Sequence, residues 1–353
     1  MLVDRLITNK TINRILQISV AILFIFNSKK KKQKKAYLEY LYRNEKKRQL
    51  TKLINDKYFD YYCVFSRYGL GDIFFVASLI KEFKSKNNSK VVYFTEKKRL
   101  VKFLRAFPSI DEVVWDKDIG FLQSEQTMQN RIQKGKLNKL FFPYRGTKET
   151  YTFSDNYNNL LEVSLNAKRE RPVISQGNYK QAQQEFEKLK LDPNKTVLLI
   201  PDATMFDYNI IHPEFWYDLV KKLKNKGYDV VFNCNLKKYK KFKNTFLPVM
   251  DFLAFAGQVK HIVSFRSGIS DLLAGMGYYN QTVLYPPNLE VIWADAIVFH
   301  DLHKRHIPRF ETEFDNMFSI HSLNTTFKTN KINELIYNYD DTKIINKILD
   351  CLK

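Results

Sequence analysis

The 353-residue sequence is poor in glycine, proline and cysteine. Its 11 Gly and 10 Pro residues argue against long low-complexity tracts. The three cysteines, Cys63, Cys234 and Cys351, form no CxxC pair and no Cys/His ligand spacing, so neither a disulfide framework nor a structural zinc site is predicted. A reducing, cytoplasmic setting is expected, and the length is sufficient for two ordinary domains.

Acidic residues are outnumbered, and the excess of positive charge is unevenly placed. The net charge is +21, and residues 1–60 alone carry 15 Lys or Arg against 5 Asp or Glu, a net of +10. Anionic membranes and nucleic acids are the two partner classes that such a segment suits.

The chain begins without a hydrophobic run long enough to cross a bilayer. Residues 15–26 (ILQISVAILFIF) give 12 mostly apolar positions, whereas a span needs roughly 20. No small-residue cleavage site follows, which argues against a signal peptide. Because SKKKKQKK comes next, we predict that residues 15–35 bind an anionic membrane surface, on the cytoplasmic face of the cell membrane. The alternative is a helix packed on the protein's own core. No RNA-recognition pattern is present, so nucleic acid is not an expected partner.

From about residue 58 the pattern becomes α/β, with alternating strand-like and helix-like segments. This succession predicts doubly wound parallel sheets in two tandem units with a cleft between them, preceded by a helical N-terminal extension. The stretch 120–180 is less regular, and the chain is predicted to end in helical segments around 331–353. The principal predicted elements are strand 61–66, helix 72–86, strand 90–96, helix 97–107 and strand 111–116, then strand 196–203, helix 212–227, strand 228–235, helix–strand–turn–helix 252–277 and strand 282–286.

The first glycine-containing turn, YGLGD, lies between strand 61–66 and helix 72–86. A dinucleotide fingerprint would place a third glycine at Phe74, so this reading is weak. Gly69 and Gly71 still permit a close backbone approach. Asp72 has two interpretations that its own chemistry leaves open: a helix N-cap that satisfies backbone N–H groups, or an acid held over a ligand.

Two later turns suit an anion. In FRSGISD, Ser267 and Gly268 precede a helix whose N–H groups could bind phosphate, Arg266 could hold phosphate oxygens, and Asp271 could accept from a sugar hydroxyl or complement the dipole. In PDATMFDYN, Asp202 and Thr204 follow the first strand of the same unit. Two such turns in one unit favour a nucleoside diphosphate over a neutral ligand.

Other polar clusters are weaker candidates. DKD at 116–118 spells the D-x-D of metal-dependent nucleotide binding, with a simple polar turn as the favoured alternative. Arg67 flanks the first turn and Arg145 lies in the irregular stretch, and both are acceptor-side candidates. We predict no metal site and no cofactor.

The run SRYGLGDIFFVASLIKEFK resembles the opening of glycosyltransferase family 9, the heptosyltransferases that use ADP-heptose. VVYFTEKKRLVKFLRAFPSIDEVVWD and FAGQVKHIVSFRSGISDLLAGMG resemble later blocks of that family, in the same order, over about 60–290. The resemblance implies a GT-B fold of two Rossmann-like domains, with the acceptor on the first, the nucleotide-sugar on the second, and Asp72 as general base.

Two departures affect the donor motif. The family commonly has Asp-Ser/Thr-Gly followed by His, where this chain has Arg266, Ser267, Gly268 and then Asp271. The family's phosphate-binding lysine has no match in NIIHP. The donor site is therefore expected to be rebuilt, with Arg266 a candidate for the lost positive charge and the donor left as a nucleotide-activated sugar.

The sequence thus predicts an inverting, metal-independent glycosyltransferase, peripheral on the inner membrane face, that adds a sugar to a polysaccharide or lipid-linked acceptor of the bacterial cell envelope. The alternatives are a sugar-nucleotide epimerase of the same fold, or a non-catalytic basic protein that binds membrane or nucleic acid. The predicted divisions are an extension at 1–57, an acceptor domain at 58–178, a nucleotide-sugar domain at 179–310 and a helical segment at 311–353.

Overall fold

The computed structural model places the chain in two parallel β-sheets with helices packed against them. This arrangement confirms the predicted α/β class. The structure describes residues 31–66, 69–119, 132–140, 157–158, 160–164, 166–202, 211–265, 267–285, 332–336 and 340–352.

The first sheet consists of β1 (Tyr61–Phe65), β2 (Lys90–Thr95), β3 (Glu112–Trp115) and β4 (Leu137–Lys139), all parallel. Its helices are α1 (Lys31–Lys57), α2 (Leu70–Asn87) and the short α3 (Val101–Arg105), which follows a 3-10 turn. The strand order is β3-β2-β1-β4. The first strand therefore pairs with β2 on one side and β4 on the other, which makes the carboxyl end of β1 a topological switch point.

The second sheet consists of β5 (Thr196–Ile200), β6 (Asp229–Phe232), β7 (His261–Phe265), β8 (Gln281–Tyr285) and β9 (Asn333–Ile336). Its helices are α4 (Gln176–Leu189), α5 (Pro213–Asn225), α6 (Val249–Ala256), α7 (Gly268–Met276) and α8 (Asp341–Asp350). The order β6-β5-β7-β8-β9 is parallel throughout and has its own switch point, between β5 and β7.

Helix α2 is buried along most of its length, and its sequence explains why. From Ile73 to Ile80 every residue is buried, which is the pattern of a helix covered on more than one side. Its side chains share one apolar cluster with residues of α6, α7 and β5. Helix α2 thus lies between the first sheet and the helices of the second half, which brings its amino end close to that half.

Helix α1 confirms the predicted helical extension over residues 31–57. Leu50 and Ile54 pack with Cys63 and Phe65 of β1, and the Tyr42 hydroxyl donates to Asp118 Oδ2 at 2.6 Å. The predicted membrane segment 15–26 lies outside the described residues. Among the helices that are described, none has the length and apolar character of a bilayer span.

Two local predictions are corrected. Residues 333–336, expected within a helical terminal segment, form β9 and pair with β8, whereas the helix expected there is confined to α8. The irregular stretch 120–180 contributes β4 and the start of α4, whose N-cap Ser175 forms a capping box with Asn178. β4 (LNK) and β9 (NELI) lack the pair of adjacent valines found in the equally short β3 (EVVW) and β6 (DVVF), so their pairing partners determine them.

Candidate active site

The YGLGD turn joins β1 to α2 at the switch point of the first sheet. Helix α2 begins at Leu70 with Gly69 as its N-cap, and Gly69 provides no side-chain cap. Asp72 is therefore the third residue of the helix, and the N-cap interpretation of Asp72 is wrong. A carboxylate in the first turn still complements the positive amino end of the helix.

The Asp72 carboxylate has a buried phenol as a partner. Tyr157 is fully buried, and its hydroxyl donates to Asp72 Oδ1 at 2.5 Å. The other oxygen, Oδ2, lies on the Gly69 side of the turn, 3.4 Å from the point that a β-carbon at Gly69 would occupy. This hydrogen bond fixes the orientation of the Asp72 carboxyl group at the carboxyl end of β1.

The second turn forms the amino end of α7, as predicted. Ser267 is the N-cap, its Oγ accepts from the Ile269 amide at 3.3 Å, and Ser270 Oγ accepts from the Ser267 amide at 2.9 Å. The Ser267 hydroxyl is thus engaged in capping. The backbone N–H groups of the first turn of α7 are donors through which a phosphate would contact this end.

The amino ends of α2 and α7 touch at two glycines. A β-carbon at Gly268 would lie 2.5 Å from the Gly71 nitrogen, and one at Gly71 would lie 2.9 Å from the Gly268 α-carbon. Both neighbours are backbone atoms and cannot swing aside. The absence of side chains at these two positions is what allows the helix ends to meet.

Asp271 lies at the same junction. It is buried, and its Oδ2 is 2.8 Å from the position of a β-carbon at Gly71. The carboxylate of α7 therefore faces the amino end of α2, where negative charge is stabilised. Its predicted contact with a donor hydroxyl stays a prediction.

Asp202 follows β5 beside the switch point of the second sheet. Ile200 of β5 pairs with Ser264 of β7, so Asp202 and Ser267 emerge from neighbouring strands at one edge. Burial raises the pKa of Asp202, and the Lys238 ammonium partly offsets this effect on the pKa. This edge combines a partly desolvated carboxylate with a helix amino end.

The structure brings most of the described candidates together. Gly71, Asp72, Gly268 and Asp271 meet where α2 and α7 touch, and Gly69 precedes them in the same turn. Asp202 lies on the strand next to the one that leads into Ser267. The remaining candidates, Arg67, Arg145, Thr204 and Arg266, lie outside the described residues.

Sequence reasoning missed Tyr157 as part of this site. It lies 85 positions after Asp72, in a polar stretch whose pattern identifies no element. No local signal in the sequence distinguishes it from the other tyrosines of the chain.

The D-x-D segment is engaged elsewhere, as the favoured alternative predicts. Asp118 accepts from the Tyr42 hydroxyl, and the Lys46 ammonium lies 3.5 Å from Asp118 Oδ2. Asp116 Oδ1 accepts from the Asp118 amide at 2.8 Å. These bonds join α1 to the turn after β3. Across the described part of the chain, no cluster of three His, Cys, Asp or Glu residues could hold a metal ion.

No family model and no curated protein sequence matches the chain. Among solved structures, the chain is similar to the ADP-heptose LPS heptosyltransferase II of E. coli, with a TM-score of 0.53 and 11% identity. The alignment covers 82% of this chain and 98% of that one. The chain therefore shares the fold of this heptosyltransferase, which agrees with the GT-B expectation.

Two further structures are similar at lower scores. One is a family 9 glycosyl transferase from Veillonella parvula DSM 2008, with a TM-score of 0.48, 13% identity, and coverage of 65% of this chain and 82% of that one. The other is an iron-containing dodecameric glycosyltransferase from enterotoxigenic E. coli H10407, with a TM-score of 0.48, 12% identity, and coverage of 84% and 78%.

Proposed function

We propose that the protein is a glycosyltransferase that moves a sugar from a nucleotide-sugar to a polysaccharide or lipid-linked acceptor. The observation that carries this proposal is the position of Asp72. Its carboxylate is held by Tyr157 at a switch point, beside the junction where the amino ends of α2 and α7 meet. The heptosyltransferase fold supports the same reaction class.

In the proposed mechanism, Asp72 is the general base that acts on the acceptor. Asp72 takes the proton from an acceptor hydroxyl, and the resulting oxygen nucleophile attacks the anomeric carbon of the donor. The bond from that carbon to the diphosphate oxygen breaks, and the leaving group carries the electron pair away. A single displacement of this kind inverts the anomeric carbon.

The leaving diphosphate is assigned to the amino end of α7. Backbone N–H groups and the positive end of a helix stabilise negative charge that develops in the transition state. Arg266 directly precedes the N-cap Ser267 and would add a guanidinium to this end. In this proposal backbone dipoles and one arginine replace a metal ion.

The proposed donor is a nucleotide-activated sugar. ADP-heptose itself is not assigned to this chain, because the protein named for that donor is only 11% identical. Asp202, which follows β5, borders the place where its nucleotide would lie, at the β5–β7 switch point. We further propose that residues 15–35 hold the enzyme on the cytoplasmic face of an anionic membrane, where a lipid-linked acceptor is reached.

Replacement of Asp72 by Asn tests the base assignment. UDP-glucose, UDP-N-acetylglucosamine, GDP-mannose and ADP-heptose are first ranked by thermal shift, because a bound donor stabilises the fold by mass action. In D72N we expect the thermal shift to persist. Release of nucleoside diphosphate should fall by about a hundredfold or more, because an amide cannot accept the proton.

The matched control is Asp341→Asn. Asp341 is also a first-turn aspartate, in α8, so its loss removes a comparable dipole interaction far from the proposed base. It should leave turnover unchanged. Turnover of D72N equal to the unmodified enzyme would refute the base assignment. Conversion of the donor to an epimer without acceptor would favour an epimerase, and no response to any nucleotide-sugar would favour a binding protein.

A further inference from the structure

Tyr157 contacts the proposed base from a distant part of the sequence. Its side chain is fully buried, and its ring stacks on Phe75, one helical turn along from Asp72, with ring centroids 5.8 Å apart and an interplanar angle of 18°. The Tyr157 ring therefore packs on α2, the helix that carries Asp72, while its hydroxyl contacts the Asp72 carboxylate.

The residues around Tyr157 are fastened to the same helix. Arg169 Nη2 donates to Asn158 Oδ1 at 2.8 Å, and Arg169 Nη1 donates to Ser78 Oγ at 3.2 Å. The Arg169 guanidinium also lies over the Phe75 ring, 5.5 Å from its centroid. Asn158, adjacent to Tyr157, is thereby tied to α2 through a charged side chain, which limits the movement of the phenol.

We propose that Tyr157 is a positioning residue for glycosyl transfer, which fixes the orientation of the Asp72 carboxyl group through the hydrogen bond to Oδ1. The inference rests on the proposed function. Oδ2 lies beside Gly69, 3.4 Å from the point that a β-carbon there would occupy. The phenolic proton stays on Tyr157, and only the acceptor proton moves to Asp72.

The hydrogen bond has two consequences that act in opposite directions. A hydrogen bond to the ionised carboxylate favours that form over the neutral acid and so weakens the carboxylate as a base. It also restricts rotation of the carboxyl group, and correct orientation contributes strongly to proton transfer. For a positioning residue the second effect dominates at neutral pH.

Tyr157→Phe removes the hydroxyl and keeps the ring on Phe75. In the full chain labelled with 13C-aspartate, the Asp72 carboxyl resonance is assigned by its absence in D72N. We expect its titration midpoint to rise in Y157F, because a hydrogen bond to the ionised form is lost. For nucleoside diphosphate release from the nucleotide-sugars named above, kcat should fall about tenfold at neutral pH, with KM for the donor unchanged.

Tyr58→Phe is a closely matched control. Tyr58 is 2% exposed and its hydroxyl also donates to a carboxylate, Glu112 Oε1, at 2.6 Å, but it precedes β1 at the amino end of the strands. Y58F should lower stability to a similar degree and leave both the Asp72 titration and kcat unchanged.

The outcomes separate the two proposals. An unchanged Asp72 titration in Y157F, or a kcat equal to that of Y58F, would overturn the positioning role even if Asp72 is the base. Full turnover in D72N would instead overturn the base assignment, whatever the titration in Y157F.

Discussion

At the scale of single residues, His261 is a polar side chain that the core holds in its neutral form. It begins β7, it is 4% exposed, and its Nε2 lies 2.9 Å from Thr282 Oγ1 on the neighbouring β8. Burial, together with the smaller effect of the Lys260 ammonium, lowers the pKa of His261 to about 4. Protonation of this imidazole therefore opposes folding.

The consequence is a loss of stability in mild acid. Between pH 6.5 and about 4 the unfolded chain binds a proton at His261 that the native chain does not, so the free energy of unfolding falls as the pH is lowered through this window. The full contribution is about 3 kcal/mol, reached below pH 4. In His261→Gln, urea unfolding measured from pH 4 to 7 should show a flatter dependence of the midpoint on pH.

The control for this prediction is His212→Gln, because His212 is an exposed histidine at the N-cap of α5. That variant should keep the slope of the unmodified protein. If H261Q and the unmodified protein have parallel curves below pH 6.5, then His261 is protonated in the native state as easily as in the unfolded one.

Some of the residues of the candidate site could be predicted from the sequence. Asp72, Gly69 and Gly71 were identified because a short polar turn between two apolar runs is a local pattern. The partner of Asp72 was not, since Tyr157 is 85 positions away and its role follows from where its segment packs on α2. The N-cap interpretation of Asp72 failed because Gly69 occupies that position.

At the scale of elements, the contact between α2 and α7 depends on Gly71 and Gly268. The two helix amino ends approach so closely that each β-carbon would meet backbone of the other helix, at 2.9 and 2.5 Å. Two positive helix ends repel each other, and the buried Asp271 carboxylate between them offsets part of this repulsion. The same geometry would stabilise the phosphates of a donor.

Gly268→Ala should therefore destabilise the protein. The added methyl forces the helices apart, and overpacking of this kind costs about 1–3 kcal/mol. We expect a lower midpoint in urea unfolding and a weaker thermal shift with the nucleotide-sugar panel, because the anion-binding end of α7 moves.

Gly177→Ala provides the contrast. Gly177 is in the first turn of α4, and the nearest atom to its added β-carbon would be Ser175 Oγ at 3.6 Å, an ordinary contact. This variant should be unchanged or more stable by up to about 1 kcal/mol. In a double-mutant cycle, G71A and G268A should cost less together than the sum of their separate effects, because each breaks the same contact. Additive costs would show that the helices do not meet at these glycines.

At the scale of the whole molecule, the order of strands and helices was predictable because long parallel strands such as β5 and β7 are buried at every position. The strands β4 (LNK) and β9 (NELI) were not predicted, because they contain little β-branched sequence and are determined by pairing across the sheet. The contact between Gly71 and Gly268 joins the turns that follow strands of two different sheets. The two residues are far apart in the sequence, so no local sequence pattern predicts that they touch.

The proposal that the basic N-terminal segment binds an anionic membrane can be tested with lipid vesicles. Replacement of Lys30, Lys32 and Lys35 by Gln removes half of the six lysines in 29–35. Because each lysine near an anionic surface contributes about 1 kcal/mol, the partition onto phosphatidylserine-containing vesicles should fall roughly a hundredfold. Flotation of the full chain with these vesicles measures the bound fraction.

The matched variant replaces Lys221, Lys224 and Lys226, which are exposed on or directly after α5, by Gln. Both triple variants lose the same net charge, so they differ only in where the charge is removed. The α5 variant should bind anionic vesicles nearly as well as the unmodified chain does. Both of these proteins should bind neutral phosphatidylcholine vesicles less strongly than anionic vesicles. Equal losses in the two variants would mean that the basic protein is attracted as a whole, and that residues 29–35 are not its membrane-binding segment.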